Sequence, residues 1–371
     1  MTAGKSVPVF QFEDDPSLDE ALRDAAARVI ARQRYVLGTE VEGFEHEFAQ
    51  LCGTSSSIGV ANGTDALELA LRAVGVSSTD RVATVANAGF YTCTALAAIG
   101  AVPVFVDVDE TLTMSPTSLA DVMSDVKSVV VTHLYGRLAA VETIVTLANQ
   151  YQVPVIEDCA QAHGATRNGK SAGSFGAAGC FSFYPTKNLG ALGDGGAVVT
   201  SDPDLAARVR TLREYGWSSK YLVAQAGGRN SRLDELQAAF LRVKMPRVAE
   251  RNVARSTIAR RYWQGLRGLD ILPPEPHSDE YVAHLFVIRS RQRDVLRAEL
   301  ARANIDTAVH YPLPDYRQPV YGDSERLRLP ATEAACGEVV TLPCYPGLAL
   351  EHVDRVIEAI RDFVAREHAT G

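Results

Sequence analysis

Apolar residues recur at two different spacings along the first half of the chain, and the switch between them predicts the architecture. Residues 18–36 and 40–51 carry the three-and-four spacing of amphipathic helices. Ser17 is placed to cap the first and Gly53 to stop the second. From residue 57 short unbroken runs of Val, Ile and Ala take over. Those at 57–61, 82–86, 102–106, 128–131, 153–156, 179–183 and 197–200 predict seven strands. Helical stretches at 64–74, 92–99 and 141–150 fall between them, with Leu67, Ala70, Leu71 and Val74 on one face of the first. Unbroken rather than alternating apolar runs imply strands covered on both faces. The pattern therefore predicts an α/β fold, a mostly parallel seven-stranded sheet flanked by helices.

Beyond the last run the pattern loosens. Pro203 opens a helix to 213, and a Gly-containing stretch follows at 217–229. A long helix starts near 233, breaks at Pro246 and continues through Trp263. Pro273, Pro274 and Pro276 mark the turn into a smaller α+β part. Strands are predicted there at 282–288 and 307–309, with helices near Val295 and Val353. The last helix carries Val353, Val356, Ile357, Ile360 and Val364 on one stripe. Two domains are expected, residues 1–245 and 246–371.

Composition narrows the partners. The chain has 371 residues, 46% of them hydrophobic, and a net charge of -8. That balance argues against a general nucleic-acid binder, though not against a local basic pocket. Six cysteines show no CxxC spacing, so buried free thiols in a reducing compartment are expected. No apolar h-region or bilayer-length apolar stretch is present. The expectation is a cytoplasmic protein with no membrane partner and no metal.

Two residues suggest chemistry. Lys187 follows the run Phe181-Ser182-Phe183-Tyr184-Pro185-Thr186 and precedes the loop Gly193-Asp194-Gly195-Gly196. Asp158 ends an apolar run behind Glu157. A lysine and an aspartate at the ends of separate strands are what pyridoxal phosphate (PLP) needs, one for the Schiff base and one for the pyridine nitrogen. A loop lysine and a structural salt bridge are the plain alternatives. Gly63-Thr64-Asp65, between a strand and a helix, offers backbone N–H groups and a hydroxyl to a phosphate, or a simple helix cap. Ser182 is placed to add a second hydroxyl, and Gln161 to reach the cofactor's phenolic oxygen. His163 reads as structural. One ring of Phe90 and Tyr91 is positioned to stack on the cofactor, and the sequence does not choose between them. Ser231 is placed to cap the long helix, with Asp234 and Glu235 complementing its dipole, while Asn230 or Arg232 reaches an anion. His310 and Tyr311 end a strand that closes over the substrate.

These pieces together resemble the sugar aminotransferases of PLP fold type I, which aminate nucleotide-linked keto sugars. The matching stretches run in order over nearly the whole chain. They are Gly38 with Phe44-Glu45, Ala61-Asn62-Gly63-Thr64-Asp65-Ala66-Leu67, Pro103-Val104-Phe105-Val106-Asp107 and Val131-Thr132-His133-Leu134-Tyr135-Gly136. Glu157-Asp158-Cys159-Ala160-Gln161-Ala162-His163-Gly164, the stretch 181–196, Asn230-Ser231-Arg232 with Gln237-Ala238-Ala239, and His310-Tyr311-Pro312 complete the set.

The resemblance implies a large PLP domain and a small C-terminal one. It implies Lys187 as the Schiff-base lysine, Asp158 as the partner of the pyridine nitrogen and Gln161 at the ring oxygen. Gly63, Thr64 and Ser182 match phosphate contacts, with Asp65 beside them in the same turn. Asn230 matches a residue that reaches the neighbouring subunit's phosphate, so a homodimer with shared active sites is implied. Tyr184, Arg232, His310 and Tyr311 fall to the substrate. The pattern departs at Gly89-Phe90-Tyr91, where a Thr-aromatic pair is usual. Lysine rather than histidine at 187 argues against the dehydratase branch. Tyr184-Pro185 resembles members that act at carbon 3. The implied reaction is transamination of a keto-6-deoxysugar, carried on dTDP, with L-glutamate as amino donor. Amination at carbon 4, or a PLP-binding regulator without turnover, are the alternatives.

Overall fold

The computed structural model describes residues 6–272, 274–275, 278–321 and 327–370. Its centre is a sheet of seven strands: β1 (Ser56–Val60), β2 (Arg81–Val85), β3 (Val102–Val106), β4 (Ser128–Thr132), β5 (Val155–Asp158), β6 (Ala178–Ser182) and β7 (Gly196–Thr200). Their order across the sheet is β1-β7-β6-β5-β4-β2-β3. Only β7 runs against the rest, pairing antiparallel with β6 on one side and β1 on the other. The remaining pairs are parallel.

The unbroken apolar runs have a plain cause. Ala83, Val85, Val129 and Val131 bury one face of the sheet in one apolar cluster. Val82, Val130, Ile156 and Val198 bury the other in a second. In a parallel sheet ligands gather beyond the carboxyl ends of the strands. Here Thr132 and Asp158 stand in register at the ends of β4 and β5, and Ser182 ends β6 beside them.

Four helices matter for the site: α1 (Pro16–Arg32), α2 (Thr39–Cys52), α3 (Gly63–Ala73) and α4 (Tyr91–Ile99). Several expected boundaries move. Asp15, not Ser17, caps α1, its carboxylate accepting from the Ser17 and Leu18 N–H groups at 3.0 and 3.1 Å. Pro16 then takes the first helical position, where its missing N–H is harmless. Ser231 does not cap the long helix. Its buried hydroxyl accepts from the Ala61 N–H at 3.1 Å, and the chain stays extended until the helix Glu235–Lys244 begins. The break at Pro246 is a single 3₁₀ turn, Met245–Arg247, leading into the helix Val248–Leu266. The Gly-containing stretch holds a small hairpin, Trp217–Ser219 with Leu222–Val223.

The strand expected at 282–288 is shorter and later. It is β8 (Phe286–Arg289), paired antiparallel with β9 (Val339–Leu342), which the apolar pattern did not single out. The strand expected at 307–309 is one isolated bridge, Ala308 to Thr341. Pro273 and Pro276 lie outside the described residues.

Candidate active site

Most of the singled-out residues converge on one cavity of about 980 Å³ beyond the strand ends. Its floor carries Asp158, Thr132 and Gln161. The Asp158 Oδ1 accepts from the Ala160 N–H at 3.1 Å. Burial pushes its carboxyl above the usual range, and that N–H and the nearby Lys187 oppose the shift. Gln161 is held by its acceptor end, Oε1 taking the Tyr135 N–H at 2.6 Å. Its amide Nε2 is left facing the Tyr311 hydroxyl at 3.3 Å. The Tyr135 hydroxyl donates to the His310 carbonyl at 2.5 Å, so one side chain ties the floor to the opposite wall.

The second wall is the start of α3. Asn62 caps it, Oδ1 accepting from the Asp65 N–H at 2.8 Å. Two glycines let this helix end sit against the strand ends. A Cβ on Gly63 would lie 2.7 Å from the Ser182 Cβ, and one on Gly196 would lie 2.4 Å from the Asn62 backbone. Gly63, Thr64 and Ser182 therefore share one small concavity at a positive helix end. Asp65 lines the same wall but turns its carboxylate to Arg229, 3.2 Å away, rather than to the concavity. Glu68 joins that ion pair.

The third wall is the loop between β6 and β7. Tyr184 sits at its exposed rim, and Lys187 reaches inward. The turn is tight: the Lys187 N–H donates to the Tyr184 carbonyl at 2.8 Å. Asn188 anchors it, its Nδ2 donating to Asn252 Oδ1 at 2.8 Å and to the Val282 carbonyl at 2.9 Å. Burial lowers the Lys187 amine to about 8, with Asp158 pulling the other way.

The fourth wall joins α4 to the C-terminal part. Tyr91 faces the cavity, and its ring meets that of Tyr311 edge-on at 6.1 Å. Phe90 points away and packs on Tyr321 at 5.7 Å, so of the two rings only that of Tyr91 lines the cavity. His310 and Tyr311 both line the cavity. Asn230 and Arg232 do not. Asn230 is exposed, and Arg232 lies over the Tyr215 ring at 5.9 Å.

Some lining residues escaped the sequence reading. Thr132 had a signal, since it directly follows the predicted strand 128–131. His284, Leu285 and Arg229 had none, because tertiary packing alone brings them in. His163 is buried between Phe181 and Phe183, at 5.3 and 5.7 Å, and burial drives its pKa down to about 3. The donor atoms of His133, Glu157 and Cys159 lie within 4.8 Å of one another, a spacing that suits a metal ion, yet their capacity is spent internally. His133 Nδ1 accepts from the Ala139 N–H, and Nε2 faces Glu157 at 2.9 Å. Glu157 also accepts from the Gly173, Phe175 and Gly176 N–H groups. This network braces β5 behind Asp158.

The family model described as the DegT/DnrJ/EryC1/StrS aminotransferase family matches residues 16–361. The chain belongs to this family. It is 40% identical to the dTDP-3-amino-3,4,6-trideoxy-alpha-D-glucose transaminase of Streptomyces venezuelae, over 99% of each chain. It is 43% identical to the dTDP-3-amino-3,6-dideoxy-alpha-D-galactopyranose transaminase of Aneurinibacillus thermoaerophilus, over 92% of this chain and 95% of that one. The crystal structure of S. venezuelae DesV in complex with a ketimine intermediate superposes with a TM-score of 0.90 at 41% identity, covering 94% of this chain and 95% of that one. DegT-family aminotransferases depend on PLP. The cavity suits that group: a glycine-lined helix end for the phosphate, a buried acid opposite, and a lysine whose amine sheds its proton readily.

Proposed function

We propose that this DegT-family aminotransferase moves an amino group from L-glutamate to carbon 3 of a keto-6-deoxysugar carried on dTDP, with PLP held on Lys187. One observation carries the reading. An amine and an acid from the ends of separate strands face one cavity, and a glycine-lined helix N-terminus opens into it. The names of the two relatives above support the carbon and the carrier.

When bound, PLP carries the amino group and draws electrons from the carbon that bears it. The protein's part follows from its own residues. Asp158 holds a proton on the ring nitrogen, and the backbone of β5, braced by Glu157, fixes it there. The Gln161 Nε2 donates to the ring oxygen. The N–H groups at Gly63 and Thr64, with the hydroxyls of Thr64 and Ser182, bind the phosphate. Asp65 keeps Arg229 at the rim rather than touching the phosphate itself. Tyr91 covers a ring face and sheds water. Lys187 Nζ, neutral above about pH 8, would take a proton from the amino-bearing carbon and deliver it to the cofactor carbon on the other side of that nitrogen. Tyr184, His310 and Tyr311 orient the sugar.

The working form in this reading is a homodimer. Asn230 and Arg232 lie outside their own cavity, which leaves them available to a partner's phosphate and sugar. Six free buried cysteines suit a cytoplasmic setting. Residues 1–245 form the cofactor domain and 246–371 the smaller one. The 3₁₀ turn at Met245–Arg247 and the separate β8–β9 pair support that division.

Spectroscopy tests the reading. Glutamate should bleach the visible band of the PLP-loaded protein, and a dTDP-linked 3-keto sugar should restore it. A band that glutamate leaves unchanged would sink the proposal.

A further inference from the structure

The N-cap position before helix α4 is Phe90, in the left-handed region at φ 71°, and no side chain from its own segment caps the helix. Helix ends of this kind leave N–H groups unpaired and carry partial positive charge. The group that approaches comes from far along the chain. Asp315 follows His310 and Tyr311 and is only 1% exposed. Its N–H donates to the Ala86 carbonyl at 2.8 Å. Its Oδ2 accepts from the Cys93 thiol at 3.6 Å, on the first turn of α4. The Phe90 N–H also faces the carboxyl.

The contact joins the two segments whose rings meet across the cavity. Tyr91 opens α4 and Tyr311 lies four residues before Asp315. The approach is close: a Cβ on Gly89 would lie 2.7 Å from the Tyr311 ring. We propose that Asp315 is a positioning residue that docks the 310–321 loop on the N-terminal turn of α4 and so sets Tyr311 against Tyr91 over the cofactor. The inference rests on the function proposed above only for what the two rings cover.

A pH dependence follows from the surroundings. The groups that face Asp315 are the Cys93 thiol and Phe90 N–H from α4, the Tyr321 hydroxyl from its own loop and the Cys336 thiol from the helix Pro330–Glu338. All are neutral at neutral pH, and burial pushes the carboxyl up to about 7. A raised acid binds its proton more tightly when docked than when released. Docking is therefore strongest near and below the ordinary carboxylate value. It weakens as pH rises toward 7 and is level above that.

Hydrogen exchange of the 311–321 segment in the PLP-loaded protein tests this, comparing wild type with Asp315→Asn at pH 5.5 and pH 8. The asparagine keeps the shape and cannot ionise. The wild-type-to-variant ratio of protection should fall about thirtyfold between the two pH values, the span from pH 5.5 to a pKa of about 7. An equal ratio at both pH values would overturn the proposal. Asp315→Ala should lose protection at both, and raise the KM for the keto sugar more than it lowers kcat. Unchanged protection in that variant would also overturn it. If the alanine variant does not fold, the asparagine comparison decides alone. The exchange measurement needs no substrate, so it stands apart from the sugar assignment, which fails instead if no amine reaches the sugar.

Discussion

Lys187 is useful because its surroundings make it a weaker base than a solvated lysine. Burial lowers its amine to about 8, and the opposing pull of Asp158 keeps it from falling further. The neutral fraction, which alone attacks a carbonyl, rises with pH and saturates just above that value. Stripped of cofactor, the protein should take up PLP faster as pH rises through about 8 and level off about one pH unit above it. Stopped-flow absorbance checks this, and a rate still climbing at pH 10 would mean the amine is solvated. Lys187→Arg should abolish covalent uptake, since a guanidinium stays protonated. Asp158→Ala should lower turnover by about 10²–10³-fold, as loss of one preorganised polar group commonly does. At this scale the sequence was informative where type and place coincide. A lysine and an aspartate at strand ends were legible. The turning away of Asp65 toward Arg229 and of Phe90 toward Tyr321 was not, because both depend on partners distant in sequence.

The elements show the same division. Seven strands and their flanking helices were readable, because two apolar faces force unbroken Val, Ile and Ala runs. Caps supplied from afar were not readable. Glu235 was expected to complement its own helix, yet its carboxylate accepts from the Gly38, Glu40 and Val41 N–H groups at 2.7, 3.0 and 2.8 Å. It thus caps α2, whose own N-cap, Gly38, has no side chain to offer. Glu235→Ala leaves those donors buried and unpaired, which should destabilise the fold by about 1–3 kcal/mol. A urea midpoint that does not move would contradict this role. Strand β9 was missed because Val339–Leu342 follows directly on a helix, with no loop between the two.

For the whole molecule the question is whether one chain completes its own site. Asn230 is exposed and away from the cavity its own chain forms. If partners share sites, a Lys187→Ala subunit and an Asn230→Ala subunit, each inactive, should together recover activity. One intact site in half of the dimers gives about a quarter of wild type under two-fold symmetry. A mixture no more active than its parts would contradict shared sites. The most direct measurement of the central claim follows the nitrogen itself. The protein is loaded with PLP and given ¹⁵N-labelled glutamate and a dTDP-linked 3-keto-6-deoxysugar, and the product is read by NMR. Label is expected on carbon 3 of the sugar with wild type and on none of its carbons with Lys187→Ala. Label on another carbon, or equal transfer by the alanine variant, would contradict the claim.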